Sequence, residues 1–238
     1  MVSWNREERE RWYPVEGEWF PSVTTILKVL DKPGLARWSA RVGLEAARAA
    51  LLARGKPGGV LPSEWVDQIM EHWISTGERE AQAAAERGTR AHQMIQAVLQ
   101  REKPSELSPE LEPVLINLNV WRQSCGLQMK DTEVMVYSLK HRFAGTIDAV
   151  AERGSSNVLL DWKTSKRIYP QHLLQVAAYA LAYTEMTGRQ VDEAWIIRLG
   201  AVAYREVEAY QVQHLAQAQE TFLAALSLWR GLKNMQGI

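Results

Sequence analysis

Cysteine is nearly absent: the 238-residue chain has one, Cys125. A single thiol cannot build a disulfide framework, a cysteine-based zinc site or a cysteine-held iron–sulfur cluster. A reducing, cytoplasmic setting is therefore expected. An excess of either charge is missing too, since 28 Lys+Arg balance 28 Asp+Glu. This excludes a uniformly basic nucleic-acid binder but leaves room for a local basic groove, because net charge does not say where charges lie. No long apolar run exists. The longest stretch free of charged residues lies between Arg167 and Glu185, and Pro170, Gln171, His172 and Gln175 interrupt it, so no membrane partner is expected. Glu7, Glu8 and Glu10 among the N-terminal arginines fit neither a signal nor a transit peptide. P-loop, G-x-S-x-G and H-E-x-x-H motifs are all missing.

What remains is 46% hydrophobic and 24% charged, enough for a buried core. Residues 11–30 mix aromatic and β-branched residues around Gly17 and Pro21, predicting a hairpin that leads into a first helix. Helices follow over 35–52, from Ser63 to about Ile74, and from Gly77 to about Gln100, with a break at Lys56-Pro57-Gly58-Gly59. Ser108-Pro109 reads as N-cap and first position of a helix that stops near Gly126. The periodicity then changes. Runs 132–139, 142–151 and 156–163 predict an antiparallel meander, with the last two strands joined across Arg153-Gly154-Ser155. Tyr169-Pro170 opens an apolar helix to about Thr187, 192–199 is a further strand, 202–209 is placed to pair with it, and 211–233 closes with a helix. The expected fold is mixed α/β, with a helical N-terminal elaboration over 1–84 and a core over 85–238.

The densest polar cluster in apolar surroundings is Asp148 in GTIDAV with Asp161 and Lys163 in LLDWKT. Asp161 and Lys163 share a strand face, with Trp162 on the other, and a turn near Gly154 brings Asp148 alongside. Two carboxylates close together near Val158, Leu159 and Leu160 repel unless a cation lies between them. Oxygen ligands with open positions suit Mg²⁺ or Mn²⁺. A salt bridge at the end of a strand would use the same aspartate and lysine, so the triplet alone does not decide.

Four motifs in order break the tie: Gly88-Thr89-Arg90-Ala91-His92, Gly145 to Asp148, Asp161-Trp162-Lys163, and Gln175-x-x-x-Tyr179. In these the chain resembles the PD-(D/E)XK nuclease superfamily, particularly its RecB-like exonuclease branch, over about residues 85–200. Pro21 to Leu27 is similar to the N-terminal segment of phage and mitochondrial members. The resemblance implies a restriction-endonuclease-like αβββαβ core. It also implies a divalent ion held by His92, Asp148, Asp161 and the Trp162 carbonyl, with Lys163 positioning the attacking water and no iron–sulfur cluster. Relatives keep an acid near substrate where Glu133 stands.

The resemblance implies a divalent-metal-dependent DNA exonuclease acting on single-stranded ends, with a structure-specific or restriction-like endonuclease on the same core, or a non-catalytic nucleic-acid-binding module, as the alternatives. Lys140, His141, Arg142, Lys166 and Arg167 flank the two strands as phosphate contacts or as solvated loops, with Thr164 beside them. Gln175 and Tyr179 share one helix face, either touching substrate or forming a polar stripe. Ser22, Thr24 and Thr25 either bond the DNA backbone or cap the first helix. Ten tryptophans against three phenylalanines make Trp19, Trp38 or Trp162 candidates for stacking on a base.

Overall fold

A computed structural model of the chain describes residues 12–30, 33–54, 63–104, 108–201 and 206–235. It divides into two compact units, Asp31–Thr89 and Met1–Leu30 with Arg90–Ile238. The first holds helix α2 (Pro33–Arg54) and most of α3 (Ser63–Leu99). Two helices were expected where α3 runs unbroken for 37 residues. Ser75-Thr76-Gly77 contains no proline, and a lone glycine costs a helix only about 1 kcal/mol, so the hydrogen-bond ladder carries straight through.

The second unit is built on a five-stranded sheet in the order β3-β4-β5-β6-β7. Its strands are β3 (Gln128–Ser138), β4 (Phe143–Arg153), β5 (Ser156–Lys163), β6 (Glu193–Leu199) and β7 (Val207–Gln211). The meander β3-β4-β5 is antiparallel, β6 joins β5 in parallel, and β7 returns antiparallel to β6. Helix α5 (Pro170–Thr187) makes the crossover that a parallel pair requires. The sheet is mixed and flanked by helices, as the pattern of runs predicts. β5 and α5 match the expected bounds because Gly154, with φ of +62°, makes the hairpin turn and Pro170 sits at the first turn of the helix. β3 begins four residues earlier than expected. Its extension is polar and carries a register shift between Met129 and Asp131, which erases the alternation. Residues 202–205, in the predicted seventh strand, lie outside the described residues, as do the break at 56–59 and the Trp38 side chain.

The sheet is buried on both faces. On one, Phe143, Ile147, Val150, Leu159 and Ile196 pack with Val176, Tyr179 and Tyr183 of α5 and with Phe222 and Leu226 of α6 (Leu215–Met235). On the other, Ala149, Ala151, Val158, Leu160, Trp162 and Ile197 meet Ala91, Met94 and Ile95 of α3 and Val114, Leu118 and Trp121 of α4 (Glu112–Ser124). The hairpin β1 (Trp12–Val15) and β2 (Glu18–Pro21) belongs to this unit as well. Val15 and Phe20 bury against Ala144, and the short helix α1 (Val23–Ile26) enters the α5 core.

One glycine is demanded by a close approach. A Cβ on Gly145 would lie 2.4 Å from Cε1 of the buried Tyr179 ring. Gly145→Ala therefore forces the ring or the strand aside and is expected to cost about 1–3 kcal/mol in urea unfolding. An unchanged midpoint would show that the ring yields freely.

Candidate metal centre at the fork of two strands

The site forms where β4 and β5 part. Toward it, their ladder ends at Ala149↔Leu160. The next backbone donor, the Trp162 N–H, gives its hydrogen to Asp148 Oδ2 at 2.7 Å instead of to a β4 carbonyl. β5 stays paired with β6 through Asp161↔Ile196 and Lys163↔Arg198. One carboxylate thus replaces a ladder bond, and the strands are free to diverge around it.

Asp148 Oδ1 faces His92 Nδ1 at 3.3 Å, delivered by the C-terminal third of α3. Glu133 completes the group. Among the described residues, one ligand atom each from His92, Glu133 and Asp148 lie within 4.8 Å of one another. Glu133 stands between the pairs Thr132↔Ala149 and Val134↔Ile147, opposite Asp148, with φ of +53°. That left-handed conformation reverses the pleat. Met129 and Ala149 lean to the α3–α4 side, whereas Val134, Val136 and Ile147 pack with α5.

Asp161 lies outside that trio. It is 1% exposed, and among the described residues its charged partner is Lys163 Nζ, 2.5 Å from Oδ2, while neither oxygen has a partner there in hydrogen-bonding geometry. An ionised carboxylate sealed from water with an unused oxygen is costly. Burial, opposed by Lys163 and reinforced by the charge of Asp148, raises the Asp161 pKa to about 6. Asp148 moves the other way: burial opposes ionisation, but His92, Lys163 and the Trp162 N–H outweigh it. His92 is raised; burial favours the neutral ring, and the Asp148 charge and hydrogen bond overcome it. Glu133 is raised by burial and by Asp148.

The other candidate residues are distributed over several elements. Gln175 Nε2 donates to the Tyr179 hydroxyl at 2.9 Å, and burial together with Asp161 holds that hydroxyl well above its ordinary pKa. Thr164 follows the end of β5. Lys140, His141 and Arg142 form the β3–β4 turn. Arg142 is ion-paired with Glu18 and lies over Phe20, His141 lies 3.7 Å from Glu185, and Arg230 of α6 bonds the His141 carbonyl at 2.6 Å. Lys166 and Arg167 lie between β5 and α5, with Arg167 over Tyr169. Ser22 caps α1, accepting from the Thr25 N–H at 3.0 Å and bonding the Thr24 and Thr25 hydroxyls. Trp162 is no stacking platform: its ring is buried, edge-on to Trp121 at 5.0 Å. Trp19 is 57% exposed. Tyr13, which no motif of the sequence marks, brings its hydroxyl to 3.0 Å from Thr146 Oγ1, two residues before Asp148. Only the position of Thr146 inside the Gly145–Asp148 motif hinted at it.

The donor set fits a hard divalent cation: carboxylate oxygens, one imidazole, and on Asp161 a buried oxygen with no partner. With divalent ions chelated, the folded state holds a proton on Asp161 between about pH 4 and 6 that the unfolded chain has released. The stability of the wild type relative to Asp161→Asn should therefore fall as pH rises through that window, by on the order of 2–3 kcal/mol, and level off above it. Denaturant melts of the two proteins in EDTA test this. A pH-independent difference would mean that Asp161 ionises normally.

The profile of the PD-(D/E)XK nuclease superfamily matches residues 65–236. Among solved structures, the crystal structure of SSO0001 is similar at 13% identity and a TM-score of 0.32, over 51% of this chain and 57% of that one. This chain thus spans little more than half the length of that protein, and a likeness of this size says nothing further. No curated protein matches the sequence. The family profile covers α3 from its first turn, the whole sheet, α4 to α6 and every residue of the fork, and the chain belongs to the PD-(D/E)XK nuclease superfamily.

Proposed function

We propose that the protein is a divalent-metal-dependent DNA exonuclease that hydrolyses phosphodiester bonds at single-stranded ends in the cytoplasm. The observation that carries this reading is Asp161, a buried carboxylate with an unused oxygen, beside Lys163 and across the fork from His92–Asp148 in a chain of this superfamily. His92, Asp148 and Asp161 would hold Mg²⁺ or Mn²⁺, with the Trp162 carbonyl. When bound, such an ion supplies Lewis acidity at the phosphate and makes water a nucleophile near neutral pH.

The chain's own groups do the rest. Lys163, only 14% exposed, is tethered by Asp161 at the end of β5. With Asp161 engaged as a ligand, the Lys163 ammonium would orient the attacking water and counter charge growing on the phosphate. His92 must shed its proton to ligate, and Asp161 must be ionised, so metal loading releases protons and strengthens with rising pH. Gln175 holds the Tyr179 hydroxyl beside the acidic pair, and Lys140 and Lys166 offer charge to the backbone of an approaching strand. The motif order Gly-Thr-x-x-His, Gly-x-x-Asp, Asp-x-Lys, Gln-x-x-x-Tyr and the lone cysteine favour the cluster-free exonuclease branch.

Two outcomes test this. Incubated with Mg²⁺ or Mn²⁺, the protein should degrade end-labelled linear single-stranded DNA and spare circles; cut circles would make it an endonuclease on the same core. Lys163→Ala should lower kcat by about 10²–10³-fold, and Asp161→Ala by at least as much, with full activity in either removing the assignment. Separately, Mn²⁺ at a hundred times its Kd should stabilise the wild type by about 2.7 kcal/mol. It should leave Asp161→Ala nearly unmoved.

A further inference from the structure

The edge that β4 loses when β5 departs is taken over by the N-terminal segment. Ala144 already pairs with Tyr137 of β3 on one side, so its parallel bridge to Ser22 occupies the other, where β5 would have run. The hairpin before Ser22 rests on Ala144 through Val15 and Phe20, and the helix after it enters the α5 core, so this segment passes from one face of the sheet to the other through the fork. It carries Tyr13 to Thr146.

Two features set this hydroxyl pair apart. From Phe143 to Ala151 every residue of β4 is buried except Thr146, and Tyr13 above it is half-buried as well. Within that stretch the strand opens to solvent here alone, two residues or about 6.7 Å along from Asp148. Hydrogen-bond accounting adds the second. The pair owns two hydroxyl protons and spends one on the 3.0 Å bond between them. Among the described residues neither hydroxyl has another hydrogen-bond partner, so one O–H is left to donate. Tyr13 also lies close enough to Tyr179 to act on it electrostatically, and Tyr179 in turn feels Asp161.

We propose that the Tyr13–Thr146 pair is a substrate-positioning site that donates its spare proton to a non-bridging phosphate oxygen of the nucleotide beside the scissile bond. This rests on the nuclease reading above. A neutral donor suits that place: it grips the backbone irrespective of base, and it adds no cation to compete with the ion for the carboxylates. The hairpin fixes the tyrosine on a rigid element, so the hydrogen bond is formed with little ordering cost on binding.

The test is a hydroxyl deletion series on the full chain: Tyr13→Phe, Thr146→Val, the double variant, and Thr146→Ser, which keeps the hydroxyl. Each is assayed for KM and kcat on linear single-stranded DNA, for affinity to the same labelled strand in Ca²⁺ by fluorescence anisotropy, for Mn²⁺ affinity by calorimetry, and for melting temperature. The double variant, which has no hydroxyl proton left, should raise KM and weaken strand binding about tenfold, with kcat within threefold and Mn²⁺ affinity unchanged. Each single variant keeps one proton but loses the partner that orients it, so Tyr13→Phe and Thr146→Val should show smaller losses of up to about threefold, and Thr146→Ser should match the wild type. Wild-type KM and strand affinity in the double variant would overturn the proposal. So would losses in Mn²⁺ affinity and melting temperature that account for the change. If the wild type neither cleaves nor binds DNA, the nuclease reading itself fails and this site falls with it; if it cleaves while the series is silent, only this site is lost.

Discussion

The hydrogen bond from the Trp162 N–H to Asp148 Oδ2 is the constraint on which the rest of the site depends. A strand amide inside a sheet must have an acceptor, and here a side chain takes the place of the neighbouring backbone. That exchange does two things at once. It fixes one oxygen of Asp148, leaving the other toward His92, and it lets β5 swing away from β4 while the sheet continues on β6. The wedge so opened brings an acid from each strand together without forcing them side by side in a regular ladder. The opposed shifts of the two aspartates follow: Asp148, ringed by donors, favours its charge, and Asp161, sealed with a single ammonium, resists it.

Around this wedge the chain spends its irregular backbone. Glu133 adopts a left-handed conformation that an acidic residue takes at a cost of about 1–2 kcal/mol, and the reversal of pleat it causes brings a third acid to His92 and Asp148. The β3–β4 turn is held from two sides, by Glu18 on Arg142 and by Arg230 on the His141 carbonyl. These ties join the N-terminal hairpin and the last helix to the strand that carries Asp148. The first and last described elements are thereby coupled to the centre of the sheet.

Much of this was legible in the sequence, and the exceptions have physical reasons. The element order and the bounds of β5 and α5 are local signals of turn glycine and helix-initial proline, and Asp148, Asp161 and Lys163 stand out as charge in an apolar run, whereas His92 is singled out only by the resemblance its Gly-Thr-x-x-His motif carries. The unbroken α3 was misread because Ser-Thr-Gly resembles a break, although a long amphipathic helix tolerates it. The start of β3 was missed because a register shift removes alternation. Trp162 lies between two charged residues in the sequence, a surface aromatic's setting, yet its ring packs inside against Trp121. Glu133 is marked in sequence only by resemblance, and its meeting with His92 and Asp148 depends on a dihedral angle, while Tyr13 depends on a tertiary neighbour; a linear pattern contains neither. Arg142 reads as a free cation in sequence and is engaged by Glu18, 124 positions away, in the fold.

The contact between Gly145 and the Tyr179 ring carries an evolutionary corollary. Because the ring fills the space a methyl group would need, position 145 cannot drift alone: a larger residue there is admissible only in a lineage that has first given up the aromatic at 179, and with it the hydroxyl that Gln175 holds. The dependence runs one way between two separate motifs, and descendants of this chain that carry a side chain at 145 should be found to have lost the aromatic at 179 beforehand.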